Sequence, residues 1–362
     1  MAAAPLLQLS SLMIANRGPD VSLLVRRGEH VALFGDDGAY LSRLLDVISG
    51  HATPLLGRVT MDGSDVTAMP AERRRIGLLG SRDPLFSHMT VHENVAFPLR
   101  VRRASRSEVA AMSQRMLAMV RMEAAALKKP AQLSVEEAFR ARLARLLAYA
   151  PDLLLFDDPL HALDAGGRRR VAALIGTLTR ALDLTSISTT CERGEALLLG
   201  SRIAVMEGGR VLQCDRADIL LDRPTAAGVA VRFGEANRLT GHVVDIQDDI
   251  ARIRLSAGAD VEAVGSETLE ANSPCVVCIR PDRIAPHFGT AFVADPDEDV
   301  PLTATLQDII HMGDHIRMRV RLADGTDMEL RRPPMQNLRA LSQGARLQLA
   351  WPAAQAVAFP LD

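Results

Sequence analysis

The feature that most constrains this chain is an apolar run that gives way to a glycine loop and then to a helical pattern. Val31-Ala32-Leu33-Phe34 reads as a strand, residues 35–38 break it, and Leu41, Leu44, Leu45 and Ile48 recur at helical spacing. Strand, glycine loop and helix in that order make a phosphate-binding unit. Upstream, 21–34 reads as a hairpin-like pair of strands around the polar turn Arg26-Arg27-Gly28-Glu29-His30. Downstream, helical spacing over 106–122 and 136–149 precedes a buried-strand run at 153–156, which ends in Asp157-Asp158. A helix over 167–182 and strands over 184–189 and 203–206 follow. Strands alternating with helices indicate a parallel sheet in an α/β domain.

Near Gly234 the pattern changes. Short alternating segments at 241–246, 250–255, 276–279, 316–322 and 347–351 are separated by Asp-Gly and Pro turns, which predicts a small all-β domain, a barrel. At 362 residues the chain exceeds what one core usually supports, so two domains, 1–235 and 236–362, are the expectation. A net charge of -2 gives no electrostatic ground for nucleic acid as a partner. No apolar run approaches the roughly 18 to 20 residues that span a bilayer, so contact with a membrane is expected to run through another protein. The apolar start, Met1-Ala2-Ala3-Ala4-Pro5-Leu6-Leu7, lacks the basic segment of a secretory signal and reads as the lead into a strand. Four cysteines in a chain of this length point to a reducing compartment. Cys275 and Cys278 fall in a strand pattern, where residues three apart face opposite sides, and this favours packing over a metal or redox pair.

Several segments, in order, resemble the ATP-binding subunits of ABC importers, in the group that serves polyamines, ferric iron, opines and sugars. Phe34-Gly35-Asp36-Asp37-Gly38-Ala39-Tyr40-Leu41-Ser42 lies where the Walker A loop, GxxxxGK[ST], belongs. Leu133-Ser134-Val135-Glu136-Glu137 stands at the LSGGQ signature, the strand ending in Asp157-Asp158 at Walker B, and His161-Ala162-Leu163-Asp164 at the D-loop. Pro84-Leu85-Phe86-Ser87-His88-Met89-Thr90-Val91-His92-Glu93-Asn94-Val95 is similar to the segment past the Q-loop. Phe233-Gly234-Glu235-Ala236-Asn237 and Ile279-Arg280-Pro281-Asp282 look like landmarks of the C-terminal TOBE domain. The resemblance implies a P-loop NTPase-like α/β domain with a helical subdomain at about 88–150, followed by an OB-like all-β TOBE domain.

The positions that carry chemistry in that family differ here. Backbone amides of a P-loop cradle the phosphates and a lysine neutralises them. The lysine position is Leu41 and the glycine before it is Tyr40. Leu41 forgoes a charge-assisted hydrogen bond of roughly 1.5 to 3 kcal/mol. Asp36 and Asp37 add like charge, a penalty of about 1 to 4 kcal/mol per pair at ~4 Å. Gly35, Gly38, Ser42 and Asp157 are the surviving candidates for nucleotide contact. Ser42 and Asp157 are also the candidates for magnesium; the plain alternative is a serine in a first helical turn and an aspartate that ends a strand. Asp158 replaces the catalytic glutamate, one methylene shorter, and a displacement of about 1 Å can cost ~100-fold in rate. The switch histidine is Cys191, the Q-loop glutamine is Ser81, and no aromatic residue supplies the usual adenine-stacking ring. Cysteine lacks the two-nitrogen hydrogen bonding of histidine.

At the signature, Ser134 and Glu137 fit the S-x-x-E capping box, an alternative to phosphate contact by Ser134. Val135 blocks close approach, and Glu136 with Glu137 is expected to set negative charge where an anion docks. The implied function is a catalytically degenerate subunit paired with an intact homologous ATPase. Ser134 and Asp164 then complete the partner's site, where ATP and magnesium are bound, while this chain's own P-loop binds them weakly or not at all. Permease subunits, gripped through 81–94, and a substrate-binding protein complete the system, and the implied place is the cytoplasmic face of the membrane. Two alternatives stay open: an atypical homodimeric ATPase that uses Ser42, Asp157 and Asp158, and a regulatory subunit whose TOBE-like domain senses a small molecule.

Overall fold

The computed structural model describes residues 5–15, 18–80, 82–288, 302–334 and 342–361. By contact the chain forms two compact units, Met1–Ala217 and Asp218–Asp362.

In the first unit the strands are β1 (Pro5–Met13), β2 (Val21–Arg26), β3 (His30–Phe34), β4 (Leu56–Met61), β5 (Ser64–Asp65), β6 (Ile76–Leu79), β7 (Leu153–Asp157), β8 (Thr185–Thr190), β9 (Arg202–Glu207) and β10 (Arg210–Asp215). Its helices are α1 (Gly38–Ser49), α2 (Val91–Val101), α3 (Arg106–Met119), α4 (Val135–Ala148), α5 (Ala165–Ala181) and α6 (Arg193–Leu199). One sheet has the order β2-β1-β4-β5; the other, β10-β9-β3-β8-β7-β6, is parallel from β9 to β6. The hairpin expected over 21–34 does not form. β2 alternates buried and exposed residues and pairs with β1, whereas β3 is buried at every position and lies between β8 and β9. A strand covered on both faces belongs in a parallel sheet, and a half-covered one belongs at a surface.

α1 forms where apolar residues recur on one face, with Asp37 as N-cap and Gly50, at φ 87°, as C-cap. Its C-terminal carbonyls are met by the buried Arg74, whose Nη1 donates to Val47 O at 2.7 Å and Ile48 O at 2.8 Å. A cation there also complements the helix dipole. α2, α3 and α4 each open with a capping box, Thr90/Glu93, Ser105/Glu108 and Ser134/Glu137. These helices share one apolar cluster with β6, β7 and α5, in which Phe139 and Phe156 are the largest fully or nearly fully buried side chains. Burying such a ring is worth about 1.5 to 3 kcal/mol, which fixes the helical layer on the sheet.

The second unit contains α7 (Ala217–Asp222), α8 (Ala227–Arg232), β11 (Asn237–Gln247), β12 (Ile250–Leu255), β13 (Asp260–Gly265), β14 (Pro274–Ile279), β15 (Ala285–Phe288), β16 (Leu302–His311), β17 (Ile316–Leu322), β18 (Asp327–Arg332), β19 (Arg346–Ala350) and β20 (Ala356–Pro360). Strands β11-β12-β13-β20-β14 close a barrel, and β15-β19-β16-β17-β18 form a separate sheet. Composition changes near Gly234, but α8 groups with the barrel because Ala230 packs on Val276, Cys278 and Phe359. Cys275 faces the barrel interior and Cys278 faces α8; both are free, and burial pushes their thiols up to about 11 and about 12. The strand-packing reading of this pair is the one the structure has. Asn237 joins barrel to sheet: its Nδ2 donates to Glu329 O at 2.8 Å and its Oδ1 accepts from Glu329 N at 2.7 Å.

Candidate functional site

The phosphate loop leaves the carboxyl end of β3, where ligands of open α/β sheets bind. Gly35 N–H donates to Thr190 O at 3.3 Å, which joins the loop to the end of β8. Asp37 folds its own carboxylate over the start of α1 and accepts from Tyr40 N–H at 3.0 Å. Tyr40 turns away from the loop, and its hydroxyl donates to Gly209 O at 3.1 Å. Gly209, at φ 90°, leaves room for the ring, since a Cβ there would meet Tyr40 at 2.8 Å. Leu41 is 2% exposed and packs with Leu33, Leu44 and Leu45. Both of its methyl carbons lie 3.7 Å from where a Cβ on Gly35 would stand. Leu41 therefore puts an apolar side chain against the loop at Gly35, and the helix N-terminus is held by an acid of the chain itself.

Opposite the loop, Ser42 Oγ donates to Asp157 Oδ1 at 2.7 Å. Thr189 Oγ1 donates to the same oxygen at 3.2 Å and accepts from Asp158 N–H at 3.1 Å, so one hydroxyl ties the two aspartates. Asp158 sits at φ 47°, a left-handed conformation that aspartate tolerates. Burial raises its carboxyl above the usual range; His161, with Nδ1 at 3.7 Å, works against this, and Asp157 adds to it. Cys191 faces the start of α1, with Sγ 3.5 Å from the Cβ position of Gly38. Burial raises its thiol as well, followed by Asp158, Asp36 and Asp37, so at neutral pH it brings no charge. Gly38, Leu41, Ser42, Asp157, Asp158 and Cys191 meet around one cavity of about 290 Å³. Among the described residues that line it, the one Lys or Arg is Arg142, whose Nη1 donates to Gly80 O at 2.7 Å. Ser42 Oγ and Asp157 Oδ1 are two oxygens brought together at the edge of that cavity. Among the described residues no group of three or more His, Cys, Asp or Glu is arranged to hold a metal unaided.

Ser134 and Asp164 do not line this cavity. Each is a helix N-cap: Ser134 Oγ accepts from Glu137 N–H at 3.2 Å, and Asp164 Oδ1 accepts from Gly167 N–H at 2.6 Å. The capping role predicted for Ser134 and Glu137 is met in full, since Glu137 Oε2 also accepts from Ser134 N–H at 2.8 Å. The free negative charge expected from Glu136 and Glu137 is not there. Glu137 is paired with Lys128 at 3.0 Å, and Glu136 is held by Arg140 and Arg170. Ser81, at the Q-loop position, lies outside the described residues. In the segment after it, the fully buried Asn94 accepts from Phe86 N–H at 2.8 Å and donates to Phe86 O and Thr90 O at 3.2 and 3.0 Å. Phe86 and Phe97 then stand partly exposed with ring centroids 4.7 Å apart, beside a cavity of about 410 Å³. Thr189 and Arg142 are not legible as site residues; the one signal, for Thr189, is the run of hydroxyls in a strand of which five of six residues are Ser or Thr.

Over 334 residues the chain is 32% identical to the spermidine/putrescine import ATP-binding protein PotA 2 of Pseudomonas aeruginosa, a match covering 92% of this chain and 91% of that protein. The chain belongs to the family of ABC importer ATP-binding subunits. Residues 19–161 match the ABC transporter family and 277–359 the TOBE domain. Similar relatives include the spermidine/putrescine import ATP-binding protein PotA of Mesorhizobium japonicum, 31% identical, with 90% of this chain and 86% of that protein covered. The protein of the same name in Thermotoga maritima is 29% identical, with 86% and 84% covered. Membership of this family implies ATP and magnesium as general ligands and a place beside membrane-spanning subunits. Among the described residues no helix is long and apolar enough to cross a membrane.

Proposed function

We propose that this subunit binds magnesium-ATP weakly at its own phosphate loop and works in a pair with an intact homologous ATPase. The observation that carries the reading is the altered loop: the buried Leu41 lies against Gly35 where the family has a lysine, and the Asp37 carboxylate holds the amide of Tyr40 at the head of α1. A triphosphate would have to displace an anion from the helix N-terminus and would find no loop cation in exchange. Asp158, short for the catalytic position, and the uncharged Cys191 support little hydrolysis at this site. Ser134 and Asp164, on the two helix N-termini, are the groups offered to the partner's nucleotide. The segment 84–95, stiffened by Asn94, carries the partner's ATP-driven closure to the permease. A substrate-binding protein delivers the solute. The names of the relatives support a small linear polyamine as that solute.

Co-purification tests the pairing: an ATPase with an intact phosphate loop should come down in equal amount with this chain. Turnover of the assembled transporter should survive Asp158→Ala here and vanish when the partner's catalytic glutamate is replaced. Recovery of this chain as a homodimer that hydrolyses ATP would overturn the reading. Uptake of labelled spermidine that is unaffected by deletion of this subunit would overturn the solute assignment.

A further inference from the structure

Glu136 stands where the resemblance places a glycine of the signature, and its carboxylate is turned into the protein. Oε1 accepts from Arg140 Nε and Nη2 at 3.1 and 2.6 Å, and Oε2 accepts from Arg170 Nε and Nη2 at 2.9 and 2.7 Å. Arg140 lies one turn along the same helix, whereas Arg170 belongs to α5. Each guanidinium sets two charge-assisted N–H bonds on one oxygen, so the two arginines between them occupy both oxygens of the carboxylate. The Arg170 guanidinium folds back along the start of its own helix, with Nη1 3.0 Å from where a Cβ on Gly166 would stand. It lies close enough to Asp164 to feel that carboxylate. One ion-paired chain thus runs from the first turn of α4 to the first turns of α5, and the N-caps of those helices are Ser134 and Asp164.

We propose that Glu136 is a positioning residue, whose pairing with Arg170 holds Ser134 and Asp164 in a fixed relation without bound nucleotide. This rests on the reading that the chain offers those two groups to a partner's site. A glycine at 136 would remove this link between the two helix starts and leave their relation to the apolar packing of α4 and α5. With glutamate there, the subunit presents a preformed surface and needs no ATP of its own to set it, a form of preorganisation.

Hydrogen exchange of the full chain without nucleotide tests the lock. Glu136→Gln and Arg170→Gln should each raise exchange at the bonded amides 137, 138, 167 and 168 about threefold, the scale of a well-formed surface pair. The double variant should rise no further than Glu136→Gln alone, because the link between α4 and α5 is already lost there. Arg170→Lys should recover part of the protection. Additive effects or a response confined to α4 would overturn the lock. Adding magnesium-ATP to the same samples separates the two ideas. Protection of amides 35–42 would count against a nucleotide-poor loop and leave the lock standing, while additivity overturns the lock whatever ATP does.

Discussion

His30 gives the first unit a pH dependence that can be worked out from its surroundings. The ring is 5% exposed in β3, stacked on Phe156 at 6.1 Å, with Nε2 2.9 Å from Ser188 Oγ and no partner for Nδ1. Burial holds its pKa down to about 4, against 6.5 for the free side chain. Above pH 6.5 the ring is neutral in both folded and unfolded chains and stability is unaffected. As the pH falls below 6.5 the unfolded chain takes up a proton that the fold refuses, so stability declines until the folded ring titrates near 4. At about 1.4 kcal/mol per pH unit the full loss is roughly 3 kcal/mol. His30→Gln keeps a donor for Ser188 and removes the titration. Urea unfolding followed by far-ultraviolet circular dichroism reports the helices α1 to α6 of this unit. The native chain should lose roughly 3 kcal/mol more than His30→Gln between about pH 7.5 and 4. Asp158 and Glu195, whose carboxyls are raised mainly by burial, act with the opposite sign, but they do so equally in both proteins. Parallel loss of stability in native and variant would refute the reasoning.

Asp37→Asn removes charge from the head of α1 and keeps a capping side chain, so stability should hold while magnesium-ATP affinity rises. At about 1 kcal/mol for a charge pair ~4 Å apart in water, the gain is roughly fivefold by calorimetric titration, and unchanged affinity would contradict the proposed repulsion. Ser134→Ala breaks the capping box of α4 and should lower stability by about 1 kcal/mol in thermal unfolding. Asn94→Ala strips buried partners from the segment 84–95 at about 1 to 3 kcal/mol per orphaned group, and the Phe86 amide should lose its exchange protection.

How far the residues alone reveal the fold depends on whether the deciding contact is local. The end of β7 in Asp157, the cap of α4 by Ser134 and Glu137 and the opposite faces of Cys275 and Cys278 follow from patterns within a few residues. The turn at Arg27-Gly28 looks the same whether it closes a hairpin or passes between sheets. Only the burial of every position in β3 separates the two, and burial depends on β8 and β9, more than 150 residues away. The charge of Glu136 was legible, but its neutralisation depends on Arg170, 34 positions downstream. The same holds for Thr189, whose bond to Asp157 spans two strands. Loss of the lysine at Leu41 is plain in the sequence; that the leucine lies buried against Gly35 needs the fold.

The most direct measurement is a titration of the purified chain with magnesium-ATP, with phosphate release followed in the same samples. No saturation is expected at micromolar ATP, and no steady release from the lone subunit. Tight occupancy with turnover at an ordinary ~1 to 10 per second would contradict it.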